Sequence, residues 1–345
     1  MTLAVNIAQI GSNNTTFRNK IINGAMVIDQ RNAGASVTTS GSFVTDRFKF
    51  NYAGGGTISG QQATDSLPTG YSYALKLTVG TADTSIAASD EYLFDTTVEG
   101  YNFADFLYGG AAAQTCTISF WVRSSVTGTY SATLKNSANT RAYPATYTIN
   151  AANTWEQKTI TVTGDTTGTW IGATNGLGLR LRFCLVSGST YLGTPNTWQA
   201  GDLDGATGQA NWMATSGNTF YITGVQLEAG TTASPFEYRS YGTELALCQR
   251  YYYQELSSLI ASGVAFDTVE AQLRFQYLVQ MRISPTVTIY DNAGNAARIH
   301  RNRSGDHPNA ATIVNPTTLG WPTVASTGLV AGAGYSCKVK ADAEL

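Results

Sequence analysis

A chain of 345 residues, 43% hydrophobic and 11% aromatic, can bury a core, which excludes disorder, and its length favours two domains over one. Charge is sparse and nearly balanced: 21 basic against 23 acidic side chains leave −2, so bulk charge gives no ground for nucleic acid or a membrane surface as partner. The 48 threonines and 35 glycines, against 8 prolines, suit pleated surfaces joined by turns and point to an all-β protein.

Residues 1–20 are polar, with Leu3, Val5 and Ile7 alternating like a strand, and are expected to form an attachment arm that gains order by adding to a sheet edge. The opening MTLAVNIAQIGSNN has no basic region before a long apolar one, so no secretory signal is expected. Runs of period-two alternation then follow. In Phe43–Asn51, Phe48 and Phe50 alternate with Lys49 and Asn51; in Tyr73–Val79, Leu75, Leu77 and Val79 alternate with Lys76 and Thr78. In Cys116–Arg123, Ile118, Phe120 and Val122 oppose Thr117, Ser119, Trp121 and Arg123. Trp121 therefore either packs under a loop or offers its ring to a ligand. Trp155–Thr163, Leu177–Val186 and Phe220–Leu227 repeat the pattern. Alternation repeated this often predicts antiparallel sheets with one buried face each, and two such sheets must cover one another. Residues 21–241 are expected to be one jelly-roll-type β-sandwich.

A helix is predicted over 242–255, with Thr243 as N-cap, Glu244 in the first turn and an apolar stripe of Leu245, Cys248 and Tyr252. A smaller β domain follows at 256–345, with strands at Leu273–Met281 and Thr286–Asp291 and a turn at DNAG, 291–294. The four cysteines stand 64 or more residues apart with no CxxC, and their apolar surroundings predict buried free thiols. No run of 18 apolar residues occurs, which excludes a membrane-spanning helix.

Several stretches stand in a telling order: FRNKIINGAMVIDQRNAG (17–34), VTDRFKF (44–50), TISFWVRSS (117–125), TWEQKTITVTGDTTGTW (154–170) and ITGVQLEAGTTASPFEYRSYGTELALCQRYYY (222–253). Together they resemble the tail-fibre or receptor-binding proteins of tailed bacteriophages, in which a jelly roll like those of carbohydrate-binding modules precedes a small β domain. MRISPTVTIYDNAGN (281–295) is similar to the opening of that small domain. The resemblance implies a homotrimer in the virion tail, made in the host cytoplasm, attached to other tail or adaptor proteins through its arm and facing host polysaccharide or lipopolysaccharide. The shared phrases look architectural: Glu237 and Arg239, two apart, are placed to pair across the turn after Pro235-Phe236.

Catalytic constellations are thin. Ser304, His307 and Asp306 make a triad on paper, but adjacent Asp306 and His307 point apart in an extended segment. Asp202 with Asp204, and Asp90 with Glu91, are the nearest carboxylate pairs for glycosidic cleavage. AGDLDG (201–205 with its preceding Ala200) resembles a loose calcium loop without the later glutamate, so a structural calcium is the one cofactor the sequence suggests; no other is expected. GLGLRL (176–181) runs into a strand and is no phosphate cradle. Sugar binding needs aromatic faces beside amides and carboxylates. Trp170, Trp198 and Trp212 lie in Gly/Thr/Asn-rich stretches near Asn175, Asn196, Gln199, Asp202, Asp204 and Asn211, which suits a shallow glycan site at loop tips. Tryptophans pinning long loops onto a sandwich give the same pattern. The favoured reading is a non-enzymatic receptor-binding subunit; a glycan depolymerase and a ligand-free decoration or adaptor protein are the alternatives.

Overall fold

A computed structural model describes residues 17–345 apart from Pro322. The arm predicted at 1–20 falls almost wholly outside the described residues. The chain divides into two units: the first holds Gly34–Val44 and Phe48–Arg239 with the N-terminal residues up to Val27, the second Ile28–Ala33, Thr45–Arg47 and Ser240–Leu345. Two short stretches from the N-terminal part thus belong to the C-terminal unit.

The strands of the first unit run β1 (Phe43–Thr45), β2 (Phe48–Ala53), β3 (Ile58–Ala63), β4 (Ala74–Val79) and β5 (Glu91–Glu99). They continue with β6 (Cys116–Ser124), β7 (Gly128–Lys135), β8 (Arg141–Ile149), β9 (Glu156–Val162) and β10 (Leu177–Ser187). Two-residue strands β11 (Leu192–Gly193), β12 (Gln199–Ala200) and β13 (Gly205–Ala206) precede β14 (Thr219–Ala229). Twelve of them form a seven-stranded sheet, β1-β2-β5-β10-β7-β8-β12, and a five-stranded sheet, β3-β4-β14-β6-β9, while β11 and β13 pair with each other in parallel. The chain passes from one sheet to the other again and again, so this is an antiparallel jelly-roll β-sandwich. The core between the sheets is aromatic: Phe94 meets Phe220 at 5.7 Å, Phe120 meets Phe183 at 5.2 Å, and Tyr130 meets Phe220 at 5.8 Å between ring centroids.

Residues at the two ends of the sandwich unit are tied together by side-chain hydrogen bonds. Asn19 donates through Nδ2 to the Val225 carbonyl at 3.1 Å and accepts from Leu227 N–H at 3.0 Å. Glu237 accepts from the N–H groups of Phe17 and Asn19 at 2.8 and 2.9 Å, and Arg239 lies 3.3 Å from Glu237.

The second unit is a short helix and a smaller β domain. The helix is Tyr241–Gln249, earlier and shorter than predicted. Ser240, not Thr243, is the N-cap: its hydroxyl accepts from Thr243 N–H. The tyrosine run leaves the helix because its backbone finds a ladder: Tyr252–Glu255 is a strand paired antiparallel with the long C-terminal strand Gly334–Asp342. Tyr252 therefore never joins Leu245 and Cys248 in a helical stripe. Glu270–Gln276 and Thr286–Tyr290 lie in the same ten-stranded sheet. At the chain's end Arg47, almost wholly buried, pairs with Glu344 and lies 3.6 Å over the Tyr251 ring.

All four cysteines are free and buried. Burial pushes the Cys116 thiol up to about 11 and those of Cys184 and Cys337 up to about 12. No helix among the described residues is long and apolar enough to cross a membrane.

Candidate functional site

The aromatic cleft of the sandwich is assembled by two segments between strands. After β5 the chain makes one helical turn, Gly100–Phe103, and one 3-10 turn, Ala104–Phe106, which bury Phe103 and Phe106. Leu107, in the left-handed region at φ 54, stops the turn and exposes its own side chain. Gly109 (φ +88) then brings the backbone against the second segment, donating to the Asp165 carbonyl at 2.7 Å; a Cβ there would come within 3.3 Å of Trp170.

Asp165 organises that second segment. It accepts two bonds from Arg141 (2.9 and 2.7 Å), one from the Thr167 hydroxyl (3.1 Å) and one from Trp170 Nε1 (3.2 Å). Burial opposes its charge, but Arg141 and the other donors hold its carboxyl below the usual range. Trp170 is thereby fixed edge-on to Tyr108 at 4.9 Å and to Trp198 at 5.6 Å, and against Phe103 at 5.8 Å. Trp198 donates to the Thr163 carbonyl at 2.7 Å and packs on Tyr143. The result is an open cleft of about 590 Å³, walled by Phe103, Leu107, Tyr108, Trp170 and Ile171 and floored by small residues of 109–112. None of its lining residues is acidic.

The other predicted site residues lie elsewhere. Trp212 has no exposed surface, so its ring presents no face to a ligand and it is withdrawn from the glycan rim. It sits in a 3-10 turn, Trp212–Ala214, capped by Asn211, and pins the loop from inside. Asp204 is also withdrawn: it is fully buried beneath the loop, on the face of the seven-stranded sheet turned away from the core. There it pairs with Lys135 at 2.7 Å and Arg182 at 2.8 Å. Asp202, half-exposed, pairs with the same Lys135 ammonium. The ladder explains the cluster, since Arg182 stands opposite Asp95 on β5 and Thr133 on β7, and Arg180 stands opposite Lys135. Lys135 Nζ thus pairs with both carboxylates of the calcium-like loop. Among the described residues no group of three or more His, Cys, Asp or Glu side chains is placed to hold one.

Of the other carboxylate pair, Asp90 accepts from Ala87 N–H at 2.7 Å and holds a turn. Glu91 is drawn into the Lys135 network, where burial and the nearby Asp204 raise its pKa. The paper triad is not assembled. Asp306 bonds to His300 at 2.7 Å, while buried His307 faces the Gly328 carbonyl at 3.1 Å. Sequence reasoning missed Phe103, Leu107, Tyr108 and Ile171; the signal for the first three was GYNFADFLYGGAAA (100–113), aromatics followed by a run of small residues, and Ile171 follows Trp170 directly.

The sequence matches no protein-family model, and no curated protein matches it as a relative. Among solved structures, the enzymatically active domain of tailspike protein 4 of bacteriophage CBA120 is similar over 62% of this chain, with 13% identity and a TM-score of 0.34; the match spans only 22% of that protein. A family 11 carbohydrate-binding module of a Clostridium thermocellum cellulase is similar over 59% of this chain and 99% of its own, at 9% identity and TM-score 0.29. The module TmCBM61, solved with β-1,4-galactotriose, is similar over 62% and 99%, at 10% identity and TM-score 0.29. Likenesses at this level assign neither a ligand nor an activity.

Proposed function

We propose that the chain is a glycan-binding virion protein, a tail-fibre or receptor-binding subunit that contacts host surface polysaccharide without cleaving it. The observation that carries the binding is the cleft: Trp170 and Tyr108 offer fixed aromatic surface backed by the buried Phe103, and its volume lies in the range of small-ligand sites. Of the predicted site residues, Trp170 lines it and Trp198 backs it. Cleavage of a glycosidic bond ordinarily uses two carboxyl groups flanking it, and the cleft wall supplies none. The half-exposed Asp202 is engaged by Lys135. The virion setting, the homotrimer and attachment through residues 1–20 rest on the resemblance of the ordered phrases between Phe17 and Tyr253 to phage fibre proteins.

The test is a host-glycan binding assay on the full chain and on Ala111→Trp, which fills the cleft from an exposed loop position and removes no packing. Binding of host polysaccharide that is lost in Ala111→Trp, with the melting temperature unchanged, is the expected result. Release of new reducing ends would replace this reading with a depolymerase. No binding at all would leave an architectural virion protein.

A further inference from the structure

The outer face of the five-stranded sheet carries a tryptophan whose indole N–H has no partner among the described residues. In β6, Ile118, Phe120 and Val122 are buried in the core, so Trp121 and Arg123 face away from it. On the flanking strands this face shows Ser59, Thr78, Thr159 and Thr161 to water, whereas Thr117, Ser119, Tyr221 and Thr223 along β6 and β14 are buried. Trp121 is half-buried, flanked across the ladders by Thr223 and Gln157. The indole N–H groups of Trp155, Trp170 and Trp198 donate to the carbonyls of Ser66, Thr167 and Thr163. That of Trp121 meets no acceptor among the described residues and is not among the buried unpartnered groups.

Cations stand beside it. The registers place Arg123, Tyr221, Lys76 and Gln61 in one row across β6, β14, β4 and β3. The Arg123 guanidinium lies 4.9 Å and the Lys76 ammonium 5.3 Å from the centroid of the same Tyr221 ring. That ring is buried, with Trp155 packed against it edge-on at 6.2 Å, so both cations rest on a rigid base. Arg123 also donates to the Asn153 carbonyl at 2.9 Å. Neither cation has a carboxylate at ion-pair distance among the described residues. Asp65, 3.5 Å from the Tyr221 hydroxyl, is the acid tied to this row. Strands about 4.8 Å apart and alternate residues about 7 Å apart set the indole, both cations and the Gln157 amide within a patch on the order of 15 Å across.

We propose that this face is a second polysaccharide-binding surface, selective for carboxylated sugars. A pyranose ring stacks on Trp121, its carboxylate lies toward Arg123 and Lys76, and hydroxyls meet the Gln157 amide and the free indole N–H. Charge complementarity selects this occupant, since two cations without a paired acid beside an aromatic face match an acidic sugar better than a neutral one. The surface extends the reading that the chain binds glycans, but shares no residue with the cleft.

Affinity electrophoresis of the full chain through gels holding polygalacturonate, alginate, neutral dextran or teichoic acid tests it. A carboxylated polymer should retard the protein and dextran should not. Trp121→Ala and the double variant Lys76→Ser/Arg123→Ser should each weaken that retardation about tenfold or more, roughly one stacked ring or one charge-assisted contact. Trp121→Phe, which keeps a ring, should retain part of it, and separates loss of stacking from loss of fold. Ala111→Trp should leave it intact, so failure of the cleft reading and failure of this one are told apart. Absence of retardation by both carboxylated polymers overturns the proposal, as does full retardation of Trp121→Ala. Stronger retardation by teichoic acid than by either carboxylated polymer overturns it in favour of phosphate. A change of oligomeric state in Trp121→Ala with retardation unaltered overturns it in favour of contact between copies.

Discussion

Replacing Asp204 by asparagine keeps the shape of a buried side chain and removes its charge. Lys135 and Asp204 are both fully buried, so the ammonium would keep only Asp202, whose side chain is 51% exposed. Arg182 would keep Asp95 at 3.4 Å. Removing one member of a buried pair costs about 3–5 kcal/mol, because the other is left as an uncompensated charge. Asp202 still neutralises Lys135 in part, and relief of the repulsion on Glu91 returns a little, so the loss should fall near the lower end, about 3 kcal/mol. That is on the order of a 150-fold shift in the folded-to-unfolded ratio. The control is Asp202→Asn, which should cost under about 1 kcal/mol because its carboxylate is half in water. Urea unfolding followed by intrinsic fluorescence suits the comparison, since five of the six tryptophans lie in the sandwich unit. A loss below about 1 kcal/mol for Asp204→Asn would show that the network is decorative. Equal losses for the two variants would show that burial does not set its strength.

Two further outcomes follow from the same geometry. Glu91 titrates above its ordinary value through burial and Asp204, so its protonation favours the folded state. That stabilisation is complete below the ordinary glutamate range and is lost as pH rises through the raised pKa. Glu91→Gln should therefore melt above the parent at neutral pH, with the gap closing on acidification; a gap independent of pH would refute the assignment. Trp212→Ala should cost about 3–5 kcal/mol of sandwich stability, while glycan affinity per folded molecule, measured by titration well below the melting transition, stays unchanged.

How much of this was legible depends on which strands keep one face wet. β4, the end of β6 and the start of β10 alternate, and the sequence pattern finds them; β14 is buried from Phe220 to Glu228, and its bulge between Thr223 and Gln226 puts Phe220, Ile222, Val225 and Leu227 into one core, so only its apolar content marks it. β5 does not: Tyr92, Leu93 and Phe94 are buried in succession, so both of its faces are covered. A strand covered on both sides loses its period-two signature. For the same reason Asp204 reads as a polar loop residue although it is a buried anchor, since its partners stand 69 and 22 positions away on β7 and β10. The membership of 28–33 and 45–47 in the C-terminal unit was equally silent. Arg47 acquires its meaning from Glu344 and Tyr251, and no local pattern announces pairing across 297 residues.

The tryptophans show why composition alone cannot mark a site. Trp170, Trp198 and Trp212 share the same kind of Gly/Thr/Asn-rich setting, yet the sandwich treats them differently. Trp212 is wholly inside, so its indole serves packing. Trp170 and Trp198 are tied at the N–H edge and held by neighbouring rings, while part of the surface remains open. That combination is what a stacking site requires. On the proposed glycan reading, a ring already fixed loses little rotamer freedom on stacking, so more of the contact energy remains as affinity. The fixing is done by Asp165, which gathers Arg141, Thr167 and Trp170 at one carboxylate. An aspartate in a threonine-rich loop thus shapes the cleft without lining it. Its partner Arg141 comes from the start of β8, the strand that packs Tyr143 against Trp198. The cleft is rigid because its polar support and its aromatic wall are anchored to the same sheet.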